Sequence, residues 1–366
     1  MTTEDKMPSP HRLLIVGAGL TGSVTASLLR RKFPKDALSI TFWEKSRGAG
    51  GRMNTNRSAG DSRCTVDLGA QYVSATPDYF RSHESFYQEL ILAKVLVPFN
   101  GIIEGENKKE GIKNFTAPAG MNSIVKHFLN SSESSILYET HCSAINIFEN
   151  PGNISQSAKF WQVTDLKDNT SKFDSVVVTI PTPQLLNLKG SIQGFLASKR
   201  SLLESVQYSS RYAVALYFEQ GVKINVPWCC KYVTGSPCVR FLSVDSRKRF
   251  GKDPEEIGPS LLAHTSVPFG IEHLEMDLND VKEIIISHIK QILPDLPEPA
   301  NSRCLRWRYS QVSRGFDGSP GCIALCNSPL LVACGDAFSH TNFDGCINSA
   351  QSVVDTFCKM TSVSNL

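Results

Sequence analysis

Three glycines near the start of the sequence, Gly17, Gly19 and Gly22, have the spacing of a turn that binds the phosphates of a dinucleotide. The first glycine lets the chain turn tightly, the second leaves no Cβ between the backbone and a pyrophosphate, and the third lets a helix pack closely on a sheet. Glu44 follows, and its carboxylate can accept hydrogen bonds from both hydroxyls of an adenosine ribose. These residues predict a dinucleotide site, and by themselves they leave FAD and NAD as alternatives.

The elements around these residues support that interpretation. Residues 13–16 are an apolar run typical of a buried strand, residues 21–33 have a helical pattern, and residues 38–43 form a second predicted strand that ends at Glu44. The first turn of the helix would direct its N–H groups and the positive end of its dipole towards the phosphates. A glycine turn that binds nothing is the alternative for the spacing alone, and the strand, helix and acid together favour the dinucleotide site.

A second glycine cluster, residues 48–51, follows Glu44 and precedes Arg52. Glycines permit close backbone approach and an arginine supplies a forked cation, so the cluster suits a second phosphate or the ribityl side of an extended FAD. An exposed flexible loop is the alternative. A short strand and turn over residues 66–72 then carry Gln71 and Tyr72, whose amide and phenol could contact an isoalloxazine ring.

The C-terminal segment has the same strand, turn and helix pattern. A predicted strand over residues 330–334 ends in Gly335 and Asp336, and a helix begins near Asn342 and continues to about Lys359. Asp336 could hold a ribityl hydroxyl, and the N–H groups of the helix from Gly345 would face the pyrimidine edge of a flavin. A generic turn with no ligand is the alternative.

Residues 208–311 have a different character, because short β-rich runs follow one another with turn signals between them. We expect a mostly antiparallel sheet, covered by an amphipathic helix over residues 277–293. Its strands carry candidate catalytic residues that could line a pocket for a flat ring: His264, Trp307, Arg211 and Tyr212. Each is also compatible with an ordinary half-buried or core position.

Composition excludes several classes of protein. The 366 residues are 41% hydrophobic, and 38 basic against 35 acidic residues give a net charge of +3, so nothing favours nucleic acid or a membrane surface. The eleven cysteines lie mainly in apolar runs without metal-ligand spacing, which indicates a reducing, cytoplasmic compartment and no metal site. The apolar residues 13–24 could pass for a signal peptide, but cleavage there would destroy the phosphate turn.

Both glycine clusters, residues 67–72, residues 208–212 and the segments around Gly335 and Gly345 together resemble the renalases, a family of the flavin amine oxidase superfamily. The resemblance runs from about residue 12 to the C-terminus and includes residues 267–270 and 307–308. It implies a Rossmann-like FAD-binding domain of the p-hydroxybenzoate hydroxylase type with a mixed-sheet α+β substrate domain, and FAD bound non-covalently.

The resemblance also implies a reaction, the oxidation of 2-dihydro and 6-dihydro isomers of NAD(P)H to NAD(P)⁺ with O₂ reduced to hydrogen peroxide. The alternatives are an amine oxidase that acts on a biogenic amine and a secreted, non-enzymatic signalling protein. Thr21, Arg52, Gln71 and Tyr72 carry over as FAD contacts.

The full set of expected FAD contacts is Gly17, Ala18, Gly19, Thr21, Gly22, Glu44, Lys45, Gly51, Arg52, Gln71, Tyr72, Cys142, Asp336, Gly345, Cys346 and Ile347. The expected FAD-binding domain comprises residues 12–80, 116–190 and 315–366, the substrate domain residues 81–115 and 191–314, and a disordered tail residues 1–11.

Overall fold

The computed structural model describes residues 9–149 and 159–361, which form two compact units. The first unit comprises the described parts of Met1–Gly51, Val125–Gln207 and Arg314–Leu366, and the second comprises Arg52–Ile124 and Tyr208–Ser313. The first segment of the first unit therefore ends at residue 51, whereas the sequence places the first limit of the FAD-binding domain at residue 80. Most of the expected N-terminal tail lies outside the described residues, and His11 already belongs to a strand.

The strands of the described residues are β1 (His11–Val16), β2 (Leu38–Trp43), β3 (Thr55–Arg57), β4 (Thr65–Asp67), β5 (Val73–Ala75), β6 (Val97–Pro98), β7 (Ile103–Glu104), β8 (Lys113–Thr116), β9 (Ser135–Leu137), β10 (Cys142–Glu149), β11 (Lys159–Asp165), β12 (Thr170–Phe173), β13 (Ser175–Val178), β14 (Gln207–Tyr217), β15 (Cys230–Tyr232), β16 (Val239–Val244), β17 (Ser260–Thr265), β18 (Asn301–Arg314), β19 (Cys322–Asn327) and β20 (Leu330–Cys334).

The helices are α1 (Leu20–Lys32), α2 (Pro77–Ser82), α3 (Glu84–Leu92), α4 (Asn122–Ser132), α5 (Thr182–Leu186), α6 (Ile192–Leu196), α7 (Arg200–Glu204), α8 (Asp245–Phe250), α9 (Val267–Glu272), α10 (Leu278–Ile292) and α11 (Phe343–Met360). Short 3₁₀ helices span Gly51–Met53, Ala197–Lys199 and Asp336–Phe338.

The first unit is built on a six-stranded sheet with the order β19-β20-β13-β1-β2-β9. Its strands are parallel except for β19, which runs antiparallel at the edge. Every residue of β13 and β20 is buried, as expected for parallel strands that are covered on both faces. A separate antiparallel sheet contains β10, β11 and β12. The structure confirms the predicted Rossmann-like α/β architecture around β1, α1 and β2.

The second unit is built on a sheet with the order β18-β14-β17-β16-β15-β7. The pairs from β14 to β15 are antiparallel, and β7 adds a parallel edge. One face packs on the apolar side of α10 through Val281, Ile285 and Ile289. Val66 and Leu68 at the β3-β4 hairpin pack on the other face. The predicted antiparallel sheet with a helical layer is therefore confirmed.

One boundary in the second unit differs from the sequence prediction. The sequence predicts only strands in this part of residues 208–311, but β16 ends at Val244 and Asp245 begins the short helix α8. This helix brings four polar or charged residues, 245–246 and 248–249, into buried positions. Among the described residues, no helix combines the length and the apolar character that crossing a membrane requires.

Candidate cofactor and substrate sites

The glycine turn of the first unit lies directly after β1. Its three glycines differ in what a side chain at each position would contact. Gly17 has a φ of +103°, and a Cβ there would lie 2.7 Å from Thr179 Oγ1. A Cβ on Gly22 would lie 2.6 Å from the carbonyl oxygen of Gly17. A Cβ on Gly19 would meet nothing within 4 Å, so the fold itself does not require this glycine. The open space beside Gly19 is the space that a pyrophosphate needs.

Helix α1 begins directly after that open space. Gly19 is its N-cap residue, and no side chain caps this end of the helix. The first N–H groups of a helix have no partner within the helix, so they are available to an anion. Thr21 in this first turn is buried. The structure therefore fits the phosphates of FAD at the place that the glycine spacing predicts.

Glu44 lies beside the turn because β1 and β2 pair in register, with Val16 opposite Trp43. Its Oε2 accepts the N–H of Ala18 at 2.9 Å, and its Oε1 accepts the N–H of Ser46 at 2.8 Å. A carboxylate oxygen accepts two hydrogen bonds, so each oxygen keeps one acceptor position for a ribose hydroxyl. The neighbouring Lys45 is exposed.

Asp336 lies at the same carboxyl edge of the parallel sheet, after β20. Gly335 has a φ of +129°, and its N–H donates to Ser349 Oγ at 2.9 Å. Asp336 is 5% exposed, and its Oδ2 accepts the hydroxyl of Thr341 at 2.9 Å. Ligands of open parallel sheets bind outside this edge. Asp336 is therefore held in a position that suits a ribityl hydroxyl.

The start of α11 corrects one expectation. The helix begins at Phe343, and the N–H of Gly345 donates to the side chain of Asn342 at 2.7 Å. This N–H is thus used within the protein, whereas the sequence prediction had it open to a ligand. Gly345 has a packing reason instead, because a Cβ there would collide with the carbonyl of His340. Cys346 is partly buried and Ile347 is fully buried.

Cys142, an expected FAD contact, has a buried side chain. It is 3% exposed and opens β10. Burial raises the pKa of its thiol to about 12, so it stays protonated. All eleven cysteines lie in the described part of the chain, and all are free thiols. Within that part no group of three or more potential ligands could hold a metal ion.

In the second unit, the amide of Gln71 is fixed by its own surroundings. Its Nε2 donates to the carbonyl oxygens of Asp67 at 2.6 Å and Gly69 at 2.9 Å. Its Oε1 accepts from Lys248 Nζ at 3.2 Å. Both amide hydrogens are therefore used, and only one acceptor position of the amide remains for a flavin. Arg52 meets the same turn through its backbone, where its carbonyl accepts the N–H of Ala70 at 2.9 Å.

Tyr72 also has a partner that the sequence did not indicate. Its hydroxyl lies 2.6 Å from that of Tyr232, and its ring packs on Phe99 at 5.6 Å. Burial and the hydrogen bond to Tyr232 raise the pKa of Tyr72 well above its ordinary value. The phenol thus stays protonated, and Tyr232 joins Tyr72 as a candidate site residue.

His264 and Trp307 converge on one backbone carbonyl. His264 Nε2 and Trp307 Nε1 each lie 2.9 Å from the oxygen of Leu68. Burial lowers the pKa of His264 to about 4, so the imidazole is neutral at pH 7 and donates its Nε2 hydrogen. The two rings thereby hold the turn that leads from Leu68 to Gln71.

Arg211 and Tyr212 are neighbours on β14 and face opposite sides of the sheet. Tyr212 is fully buried in the core against α10, and its hydroxyl donates to the carbonyl of His273 at 2.7 Å. The structure therefore does not bring Tyr212 together with the other expected catalytic residues, because its side chain does not reach the face that carries His264. Arg211 lies on the face of His264, since Ala213 two residues later pairs directly with that histidine.

Sequence reasoning missed a buried group of four charges. Lys248 Nζ lies 2.8 Å from Asp67 Oδ2 and 2.7 Å from Asp245 Oδ1. Arg249 reaches the same two carboxylates, at 3.0 Å and 2.6 Å. Burial alone would raise the pKa of Asp67, but the charges of Lys248 and Arg249 outweigh it and hold that pKa below its ordinary value. The basic run 247–249 was the available signal, and it reads as a solvated surface in the sequence.

Comparison with known proteins agrees with this arrangement. Residues 15–90 match the family described as NAD(P)-binding Rossmann-like domain, and residues 102–356 match the family described as flavin containing amine oxidoreductase. Renalase from Mus musculus is 42% identical over 344 residues, which cover 94% of this chain and 97% of the relative.

Two solved structures share the fold. A protein from Exiguobacterium sp., provisionally named a protoporphyrinogen oxidase, has a TM-score of 0.67 at 15% identity and covers 96% of this chain and 99% of its own. A protein from Pyrococcus furiosus has a TM-score of 0.60 at 14% identity, with coverages of 96% and 98%. The flavin containing amine oxidoreductase family that residues 102–356 match uses FAD as its cofactor, and the glycine turn and Glu44 of this chain fit FAD. The chain therefore belongs to the renalase family of the flavin-containing amine oxidoreductases.

Proposed function

We propose that this protein is an FAD-dependent oxidase that converts the 2-dihydro and 6-dihydro isomers of NAD(P)H to NAD(P)⁺. One hydride leaves the dihydropyridine ring, and with one proton and O₂ the products are NAD(P)⁺ and one H₂O₂. FAD supplies the acceptor for the hydride and the route of both electrons to O₂. The first unit, with its parallel sheet and its β10-β11-β12 sheet, would be the FAD-binding domain of the p-hydroxybenzoate hydroxylase type.

The observation that carries the proposal is the chemistry of the sheet face with Arg211, His264 and Trp307. His264 donates to Leu68 through Nε2, and burial lowers its pKa to about 4, so its remaining ring nitrogen is a weak base. Arg211 has no carboxylate among its described partners. A dihydropyridine needs no protein base, because its own ring nitrogen supplies the electrons that expel the hydride. Alignment of the ring is what such a substrate requires.

A catecholamine would fit this face less well. Its ammonium group would meet the cation of Arg211 and not a carboxylate, whereas a nucleotide brings phosphates of the opposite charge. Trp307 and Tyr309 offer flat surfaces to a flat ring on the same strand, β18. The face therefore favours an anionic substrate with a planar head group.

The test is anaerobic mixing of the yellow holoprotein with 2-dihydro, 6-dihydro and ordinary 4-dihydro nicotinamide nucleotides, and separately with adrenaline and dopamine. We expect rapid loss of flavin absorbance with a 2-dihydro or 6-dihydro isomer, and negligible change with the amines. On admission of O₂, one H₂O₂ should form per NAD(P)⁺.

Flavin reduction by catecholamines without a response to the dihydro isomers would make the amine oxidase alternative the better one. A folded preparation that takes up no FAD would favour the signalling alternative. An ordinary 4-dihydro nucleotide serves as the matched control, because it differs from the proposed substrates only in the position of the added hydrogen.

A further inference from the structure

Arg211 is a guanidinium with too few partners for its position. Nη1 lies 3.5 Å from the carbonyl of Thr265, and Nη2 lies 3.3 Å from Gln311 Oε1. Both contacts are long for hydrogen bonds. Nε is shielded from solvent and has no partner among the described residues. A guanidinium has five N–H donors, so most of the hydrogen-bonding capacity of Arg211 is unused.

Two other shielded arginines of the second unit differ in this respect. Arg249 pairs with two carboxylates, and Arg247 pairs with Asp253 at 2.6 Å. Arg211 has instead a second cation nearby, Arg240. Burial lowers the pKa of Arg211, and the charge of Arg240 lowers it further. No described carboxylate is close enough to compensate either guanidinium.

An irregularity in the pairing of β16 with β17 places Arg240 beside the sheet face that carries Arg211 and His264. Val239 pairs with Thr265 and Phe241 pairs with His264, so Arg240 is the extra residue of a bulge. It is exposed, and its Nη1 donates to the carbonyl of Val233 at 3.1 Å. Bulges commonly redirect a side chain next to a functional site.

An uncompensated and partly desolvated cation is unfavourable, and a second cation beside it adds repulsion. Both effects are reversed when an anion binds, because guanidinium groups form bidentate, charge-assisted hydrogen bonds with phosphate. We propose that Arg211 and Arg240 form a subsite for the phosphate groups of the nucleotide substrate. This inference rests on the proposed function, and it specifies which part of the substrate the sheet face recognises.

The phosphate could be the one nearest the nicotinamide riboside, the second of the pyrophosphate, or the 2′-phosphate of an NADP-type compound. Four substrates of the same dihydro isomer separate these sources: the riboside, the mononucleotide, the NAD-type dinucleotide and the NADP-type dinucleotide. The compound at which kcat/KM first rises identifies the phosphate that the subsite binds.

The test compares these four substrates in the wild-type holoenzyme and in Arg211→Met. We expect the substitution to lower kcat/KM roughly ten- to a hundredfold for substrates with the recognised phosphate. We expect a clearly smaller effect on the riboside, which carries no phosphate. Arg240 is exposed, so Arg240→Met should also lower kcat/KM for substrates with the recognised phosphate without affecting the fold. Arg303→Met, an exposed arginine on β18, is the control.

A second measurement needs no turnover. Wild-type protein is titrated with inorganic pyrophosphate, and calorimetry measures the binding. We expect salt-sensitive binding that both Arg211→Met and Arg240→Met weaken. An equal effect of Arg211→Met on the riboside and on the dinucleotides, or unchanged pyrophosphate binding in both variants, would overturn the subsite. If no dihydro compound bleaches the wild-type flavin, the proposed function fails, and pyrophosphate binding still tests the anion site separately.

Discussion

Lys248 connects the buried charges of the second unit to a residue of the candidate site. Its ammonium group contacts Asp67 and Asp245 and donates to the amide oxygen of Gln71. Asp67 also accepts the hydroxyl of Thr55 at 2.6 Å. The orientation of the Gln71 amide therefore depends on a lysine that lies 177 positions away in the sequence.

Replacing Lys248 with methionine should destabilise the protein strongly. The side chain keeps similar length, but Asp67 and Asp245 lose one of their two cations in a region without solvent, which costs about 3–5 kcal/mol. The free energy of unfolding in urea measures this effect. The exposed Lys252 gives the matched control, since Lys252→Met should stay within about 0.5 kcal/mol of wild type. Equal stability of both variants would show that the buried charges are dispensable.

His264 predicts a dependence of stability on pH. Burial lowers its pKa from 6.5 to about 4, so below pH 6.5 the unfolded chain binds a proton that the folded chain does not. Stability is therefore lost as the pH falls from 6.5 towards 4, by at most about 1.4 kcal/mol per pH unit for this group.

His264→Gln keeps an N–H donor for the Leu68 carbonyl and removes the titration. Urea unfolding at several pH values between 7.5 and 4.5 should show a shallower decline for this variant than for wild type. Parallel declines would contradict the assignment of a depressed pKa to His264.

Single residues show where sequence reasoning was sufficient and where it was not. Gly19 and Glu44 could be assigned because a short stretch of sequence contains the whole strand, turn and helix on which they depend. The surroundings of Gln71 and Tyr72 could not, because Lys248 and Tyr232 come from distant strands and helices. The opposite orientation of Tyr212 follows from strand alternation and could have been predicted from its apolar neighbours.

At the scale of elements, the turn between β1 and α1 separates the requirements of folding from those of binding. The glycine at position 22 lets α1 approach β1, and the glycine at position 19 borders open space. The same residue type thus serves two purposes three positions apart. The sequence motif already predicts separate roles for its three glycines, and the structure shows which of them the fold itself requires.

Gly19→Val should abolish FAD binding and preserve the fold. Gly19 has a φ of −90°, which any residue adopts, and its Cβ direction is open. The added side chain would occupy the place of the pyrophosphate, and we expect a loss of FAD affinity of roughly a hundredfold or more. Fluorescence titration of the apoprotein with FAD measures the affinity, and far-UV circular dichroism measures the fold.

Two further valine variants make that result specific. Gly22→Val should destabilise the fold itself by about 1–3 kcal/mol or more, because its Cβ meets the backbone of Gly17. Gly194→Val, on a surface helix with open space, should retain wild-type FAD affinity. Wild-type FAD affinity in Gly19→Val would refute the proposed position of the pyrophosphate.

At the scale of the whole molecule, the two compact units interleave along the chain. The sequence predicted a division into two parts with a limit after residue 190, whereas the first unit continues to Gln207. The boundary after Gly51 could not be predicted. Residues of the β3-β4 hairpin belong to the second unit because Val66 and Leu68 pack on Ala213 and Leu262, about 150–200 positions later.

The interleaving also fixes the order in which the units can be completed during protein synthesis. All segments of the second unit have been made once Ser313 has left the ribosome. The first unit must wait for β20, which pairs with β13, and for α11, which packs on α1. Until then β13 presents an unpaired edge to solvent or to a chaperone. Asp336, a proposed FAD contact, arrives with that last segment, so we expect the finished polypeptide, and not the nascent chain, to take up FAD.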